Sequence, residues 1–312
     1  MKRQTSALRK LHADFLEDLE IGQGRSAKTV ENYDHYLKRF YKLQHIREVA
    51  DITAQAVRQW RRWLNEAAPR VPDSPLRGVS LATQNYYLIA LRQFLKYLAQ
   101  RRVAALPADT VGLAKIGERE IDVLYPEEVD MLLLAADGLD VAGRRDRALL
   151  EVLYSTGVRV AEVTRINRDD VRDDRAEIAV RGKGNKVRVV FLSDSARAAV
   201  AAYVTRRSDI DPALFVRHHS SPLGAQAADL RLAPRTVQRL IKKYAVKAGL
   251  TKRVSPHTLR HSFATDLLAN GADVRQVQQL LGHASITTTQ VYTHLTDIHL
   301  REVHEKFHRK GE

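Results

Sequence analysis

Between residues 257 and 292 the chain sets His257, Arg260, His283 and Tyr292 into the stretches HTLRH, LGH and TTTQVY. His257 and Arg260 stand three apart, on one face of a helix. His283 follows Gly282 directly, and Tyr292 comes later in the same run. No carboxylate sits among these four groups, so together they suit an anion. Arginine offers a planar fork that matches phosphate oxygens, imidazoles donate or shuttle protons, and a phenol can attack to form a covalent intermediate. The chemistry that fits them is phosphoryl transfer onto Tyr292. His257 and His261 also have the spacing of helical zinc ligands, but HTLRH lacks a glutamate after its first histidine and places a cation beside the site. Singly, a helix-capping His257 or a packing Tyr292 is the commoner case, and only the combination points to a site.

The elements that must position these groups can be read around them. Ser255-Pro256 is a helix start, because serine caps orphan amides and proline at the first helical position loses only an unpaired N–H. Leu259, Phe263 and Leu267 form an apolar stripe, and Gly271 is a stop. Asp273 caps a second helix that buries Val274, Val277, Leu280 and Leu281, and Gly282 ends it. Ser285 opens a third segment carrying Ile286, Val291 and Leu295, with Tyr292 among them.

Upstream, the apolar helix Arg147 to Tyr154 ends at Ser155-Thr156-Gly157, and the next helix opens with Arg159. An arginine beside a turn can reach a bound phosphate, and Glu162 is its ordinary structural partner. Glu177 to Val180 and Val187 to Leu192 flank RGKGNK, a hairpin signal with Lys183 at the turn. The glycines are not a P-loop, since the spacing and the residue after lysine are wrong. A lysine at a hairpin tip is usually idle in solvent, yet one so placed can close over a reacting phosphodiester. Asp169, Asp170, Asp173 and Asp174 alternate with Arg168, Arg172 and Arg175, which reads as a solvated loop; a two-metal nuclease is the alternative they leave.

With 312 residues, 44% of them apolar, the chain has room for two globular domains. It has no cysteine, so disulfides, thiolate nucleophiles and cysteine zinc sites are excluded. The N-terminus has no apolar signal region and no run approaches the roughly 18 apolar residues of a membrane span, so the expected location is the cytoplasm, with no membrane partner. A net charge of +14 points to a polyanion, nucleic acid ahead of an anionic membrane. Residues 1–116 hold 20 Lys/Arg against 11 Asp/Glu, the denser share of that charge. Helical patterns run over residues 5–20, from Ser26, through Val57, Trp60 and Leu64, and from Ser80 or Thr83. Pro69, Pro72 and Pro75 make a surface loop of the stretch between the last two. Lys38, Arg39, Arg58, Arg61 and Arg62 lie off the apolar faces. In a basic bundle they are the expected contacts to a duplex backbone, against the commoner case of a solvated helix face. Periodicity is lost after Arg102, which gives an N-terminal helical DNA-binding domain over 1–104, a linker over 105–122 and a second domain over 123–312.

Arg159 in TGVRVAEV, Lys183 in GKGNK, His257 and Arg260 in HTLRH, His283 in LGH and Tyr292 in TTTQVYTH occur in the order of a known catalytic set. On these motifs the chain resembles the tyrosine recombinase (phage integrase) family, most closely the bacterial Xer type of site-specific recombinase. The stretch from Ser255 to Leu295 is similar to that pattern throughout, with Asp266 where a histidine is common; the N-terminal part agrees only in helix count and placement. The resemblance implies a mainly α fold with a small β-sheet, built as a two-domain DNA clamp of an N-terminal helical bundle and a catalytic domain. It implies that Tyr292 attacks the scissile phosphorus to give a 3′-phosphotyrosine. Arg159, Arg260 and His283 would stabilise charge on the non-bridging oxygens, Lys183 would protonate the leaving 5′-oxygen, His257 would assist as acid or base, and Glu162 would support Arg159. Neither cofactor nor metal is implied. The implied partners are double-stranded DNA and a homo- or hetero-tetramer on two DNA sites that passes through a Holliday junction, with the tail after Tyr292 docked on a neighbour. Chromosome dimer resolution at a dif-like site is the cellular role that follows. The resemblance leaves open a second Xer-type recombinase and a DNA translocase as partners, as well as an integrase, a transposon recombinase or a topoisomerase-like strand transferase. A non-catalytic DNA-binding protein is the alternative of another class, and it would form no covalent adduct.

Overall fold

The structure, a computed structural model, describes residues 7–66, 78–117, 122–172, 174–182, 185–218 and 230–282. The chain divides into two compact units, Met1–Arg119 and Glu120–Glu312.

The first unit is helical. Helices α1 (Ala7–Glu17), α2 (Ala27–Leu43), α3 (Ala54–Glu66) and α4 (Leu81–Gln100) enclose one apolar core. Ser26 and Ser80 start α2 and α4 by accepting the backbone N–H of Thr29 and Thr83, which satisfies amides that no helical carbonyl reaches. Trp60 is fully buried and stacks on Trp63 with centroids 5.0 Å apart. Leu88, Leu91, Leu95 and Leu98 line the buried face of α4, as their spacing predicts. The first helix is shorter than its pattern: after Glu17 a π turn, Asp18–Gly22, keeps Leu19 buried and turns Ile21 to solvent.

The stretch over 105–122 that reads as a linker docks on this unit in its first part. Val111 is wholly buried in the first core, with Ala105, Leu106 and Ala108 packed against it. The buried Asn85 brackets the backbone of Ala114, accepting its N–H and donating to its carbonyl, each at 2.9 Å. The buried valine and the asparagine are the main anchors of this segment, and neither leaves a periodic signal.

The second unit packs helices around α6 (Val141–Thr156), which runs through its core. Pro126 opens α5 (Pro126–Ala135) with Glu128 accepting the N–H of Tyr125, and Asp140 caps α6. The short α7 (Val160–Val163) is followed by strands β1 (Glu177–Arg181) and β2 (Val187–Phe191), paired antiparallel from Glu177 opposite Phe191 to Arg181 opposite Val187. Next come α8 (Asp194–Val204), α9 (Pro234–Lys247), α10 (Pro256–Ala269) and α11 (Val274–Leu281). Helix α8 has no counterpart in the sequence reading, because its alanine-rich run SARAAVAAYV carries only a weak apolar stripe. Ser193 caps it, and Ala196, Val200 and Tyr203 bury its inner face.

Helix α10 departs from the single stripe expected of Leu259, Phe263 and Leu267. It buries Leu259 in the main core and Ala264 and Leu268 against α11, while Thr258, Arg260 and Ser262 are also buried and Phe263 and Leu267 are only partly so. A helix packed on several sides shows no one apolar face. Its buried polar groups are satisfied locally: Ser262 accepts the N–H of Leu124 and donates to the carbonyl of Thr258. Among the described residues no helix is long and apolar enough to cross a membrane.

If Asn85 is what holds the docked segment, Asn85→Ala removes two hydrogen bonds from a buried position and costs about 1–3 kcal/mol. Amide exchange should then quicken at Leu113 to Lys115 well before the α4 core opens; unchanged protection there would show that the apolar contacts suffice.

Candidate active site

The site is built at the end of α11. The last carbonyls of a helix have no intrahelical partner, and the end carries a partial negative charge. Here three arginines from three other elements meet three consecutive carbonyls. Arg188 on β2 donates its Nε to Leu280 O at 3.0 Å, Arg260 on α10 donates Nη2 to Leu281 O at 2.7 Å, and Arg159 before α7 donates Nη2 to Gly282 O at 3.4 Å. Gly282 itself closes the helix with φ +64°, a left-handed position that glycine adopts without strain. His283 is the next residue of the chain.

Arg260 is buried at 3% exposure, and its Nη1 donates to Gly157 O at 2.6 Å. Gly157 ends α6 with φ +58°. A Cβ there would lie 2.4 Å from Phe263 and 3.0 Å from Leu281, so the turn before Arg159 is pressed against both α10 and α11. The turn therefore fixes the backbone that presents Arg159 and supplies the carbonyl that holds Arg260.

Glu162 joins the remaining pieces. Its carboxylate accepts the Arg159 backbone N–H at 2.8 Å and Arg159 Nη1 at 2.9 Å. It also accepts Arg188 Nη1 and Nη2 at 3.0 and 2.7 Å, a fork on a fork. Burial alone would raise its pKa, but the bonds from Arg188 and from Arg159 outweigh burial and hold it at about 2. Gly182, at the end of the hairpin's first strand, packs on the same group: a Cβ there would meet Glu162 Oε1 at 3.2 Å and Arg188 Nη1 at 3.4 Å.

Of the residues picked out by sequence, Arg159 and Arg260 are thus brought to adjoining carbonyls of one helix end. His257 is exposed on the first turn of α10, its ring centroid 6.4 Å from that of His261. Lys183, His283 and Tyr292, with the third segment opened by Ser285, lie outside the described residues. Arg188 was missed, because an arginine on a strand beside a basic turn reads as a solvated charge. Its one sequence signal is alternation, which puts it on the face opposite Val187 and Val189.

The acidic cluster is engaged locally. Asp170 accepts the Asn167 N–H at 2.8 Å, and Asp174 pairs with Arg172 and Arg175 at 3.2 and 3.7 Å. Asp173 lies outside the described residues, among which no group of three or more histidine or carboxylate residues is arranged to hold a metal ion.

In the first unit the basic residues divide. Arg39 donates to the Tyr87 hydroxyl at 2.9 Å and lies 4.9 Å over the Trp63 ring, and Arg61 donates to the Gly112 carbonyl, so both also hold the fold. Lys38 is exposed and pairs with Asp34 at 2.8 Å, while Arg58 and Arg62 are exposed on α3.

The pattern that defines the phage integrase family matches residues 122–299, and that of the phage integrase N-terminal SAM-like domain matches residues 13–102. The chain is 33% identical over 308 residues to tyrosine recombinase XerD of Staphylococcus saprophyticus, covering 96% of this chain and 98% of that protein. Its fold is similar to XerH site-specific recombinase bound to palindromic difH substrate in a post-cleavage complex (TM-score 0.68, 20% identity, 94% of this chain and 83% of that one). It is also similar to a lambda integrase tetramer bound to a Holliday junction (TM-score 0.69, 16% identity, 93% of this chain and 78% of that one).

Two outcomes follow from this geometry. Gly157→Ala forces a left-handed residue and a steric overlap at one point, and should destabilise the second unit by on the order of 2 kcal/mol or more in chemical denaturation; a neutral substitution would contradict the tight turn. Glu162 has a depressed pKa, so the stability it confers is present above the ordinary value of 4.5 and is lost as pH falls toward about 2. Unfolding of the wild type should therefore show a loss on the order of 3 kcal/mol across that window that Glu162→Gln lacks; parallel pH profiles would show that Glu162 is not so held.

Proposed function

The chain belongs to the phage integrase family, the tyrosine recombinases, and from this we propose that it cuts and rejoins DNA at a specific site through a 3′-phosphotyrosine. Tyr292 Oη attacks the scissile phosphorus, a tyrosyl P–O bond forms, and the bond to the 5′-oxygen breaks. Lys183 gives that oxygen its proton, and His257, assisting as acid or base, takes the proton that the Tyr292 hydroxyl loses. Arg159, Arg260 and His283 hold the two non-bridging oxygens as negative charge builds on them. A preorganised donor of this kind is worth about 10² to 10³ in rate. Religation runs the same bonds in reverse with the 5′-hydroxyl of a partner strand, so the phosphodiester energy is kept in the phosphotyrosine and no nucleotide fuel is consumed.

The observation that carries this reading is the gathering of Arg159 and Arg260 at the carbonyls immediately before His283. Two of the groups assigned to the phosphate thereby stand side by side, and the third, His283, is the next residue of the chain. In the same reading residues 1–104 form the core-binding domain, with Lys38, Arg39, Arg58, Arg61 and Arg62 toward the DNA backbone. Residues 123–312 form the catalytic domain, and 105–122 connect the two.

The finer role rests on the relatives. The XerH complex with difH and the XerD name support a Xer-type recombinase with a dif-like target; the role proposed with it is chromosome dimer resolution in the cytoplasm. The lambda integrase tetramer on a Holliday junction supports four protomers acting through such a junction; in the assembly proposed here the tail after Tyr292 reaches a neighbour.

The test is covalent trapping on a nicked duplex carrying a dif-like site, in EDTA. Wild type should give a protein–DNA adduct that survives denaturation and is absent from Tyr292→Phe. An adduct that persists in the variant would move the nucleophile elsewhere, and salt-dependent binding with no adduct would make the chain a DNA-binding protein without strand-transfer chemistry.

A further inference from the structure

Glu162 receives two guanidinium groups. Arg159 reaches it with one side-chain bond and its backbone N–H, whereas Arg188 takes both carboxylate oxygens. The ion pair is out of solvent, with Glu162 at 4% and Arg188 at 13% side-chain exposure, while Arg159 is 34% exposed. The more buried cation therefore holds the carboxylate by the fork, and the more exposed one is held only by an edge. A lone carboxylate facing a lone Arg159 would be free to take that fork itself, which would use both terminal nitrogens and cancel the charge.

We propose that Arg188 is a positioning residue for strand cleavage: by occupying Glu162 through two bonds it lets the carboxylate orient Arg159 without neutralising it, leaving a guanidinium edge and a net positive charge for the scissile phosphate. Two cations against one anion keep the cluster positive. The Nε bond to Leu280 O fixes the same side chain to the end of α11, so that the helix end, β2 and Arg159 share one frame. Gly182 is part of this arrangement, because a Cβ there would press on Glu162 Oε1 at 3.2 Å and touch Arg188 Nη1 at 3.4 Å.

The inference rests on the reading that Arg159 acts on the non-bridging oxygens, and the experiment separates the two. Cleavage is measured on nicked duplexes carrying either the natural phosphodiester or a methylphosphonate at the scissile position, in which a methyl group replaces one non-bridging oxygen and removes the linkage's negative charge. Arg188→Ala should lose about 10-fold or more on the phosphodiester, part of the cost of a lost preorganised donor, and little on the methylphosphonate. Adding Glu162→Gln to Arg188→Ala removes the carboxylate that would clamp Arg159, and should restore most of the loss. A side chain that only holds the fold predicts the opposite, a double variant worse than the single one and a defect equal on both substrates; that result overturns the inference. Arg188→Lys, which keeps the charge without the fork, should fall between wild type and Arg188→Ala, so the idea is still tested if the alanine variant fails to fold. A lysine variant that is folded yet as inactive as full loss would count against it. Arg159→Ala is the control on the underlying reading: no loss on the phosphodiester would overturn that reading and this inference together, whereas a loss relieved by methylphosphonate with no recovery in the double variant would overturn this inference alone.

Discussion

One buried carboxylate organises the second unit's chemistry. Glu162 is at 4% exposure, and a lone charge there would carry a large desolvation penalty. It is ionised because four N–H groups converge on it, two from Arg188 and two from Arg159. The consequence is geometric as much as energetic. Breaking one partner from such a cluster strands a buried charge, which is costly, so the hairpin, the start of α7 and the end of α11 are obliged to keep their relative places.

The end of α11 is the second half of the same constraint. Its final carbonyls need donors, and the residues that supply them are arginines from β2, α10 and the turn after α6. A helix end that collects cations is electrostatically favourable, and it also concentrates positive charge where the chain goes on to His283. The fold thus uses one set of side chains to finish a helix and, in the function proposed, to receive an anion. Gly157 and Gly282 make this possible, since both sit at positive φ where a side chain would be strained and would strike a neighbour.

Much of this was legible from residue order. The stops at Gly157 and Gly282, the start at Ser255-Pro256 and the hairpin around GKGNK follow from local backbone chemistry, which sequence carries directly. The four helices of the first unit follow from apolar spacing such as Leu88, Leu91, Leu95 and Leu98. What could not be read depends on partners distant in the chain. Arg188 and Arg61 look like solvated charges until Glu162 and the Gly112 carbonyl are beside them. Val111 and Asn85 anchor residues 105–117 through contacts with no period, and α10 hides its role because it is buried on several sides. Of the candidate site, the order of Arg159, Lys183, His257, Arg260, His283 and Tyr292 is what sequence offers, and the carbonyl cradle that sets Arg159 and Arg260 side by side could not be read.

The central claim is that the arginines gathered at the end of α11 receive a single DNA phosphate. The most direct measurement is an experimental structure of the Tyr292→Phe chain on a duplex carrying its site. The account predicts the scissile phosphate within hydrogen-bonding distance of both Arg159 and Arg260, with Glu162 still shared between Arg159 and Arg188. A phosphate bound away from those two guanidinium groups, or an Arg159 folded fully onto Glu162 with the DNA in place, would contradict it.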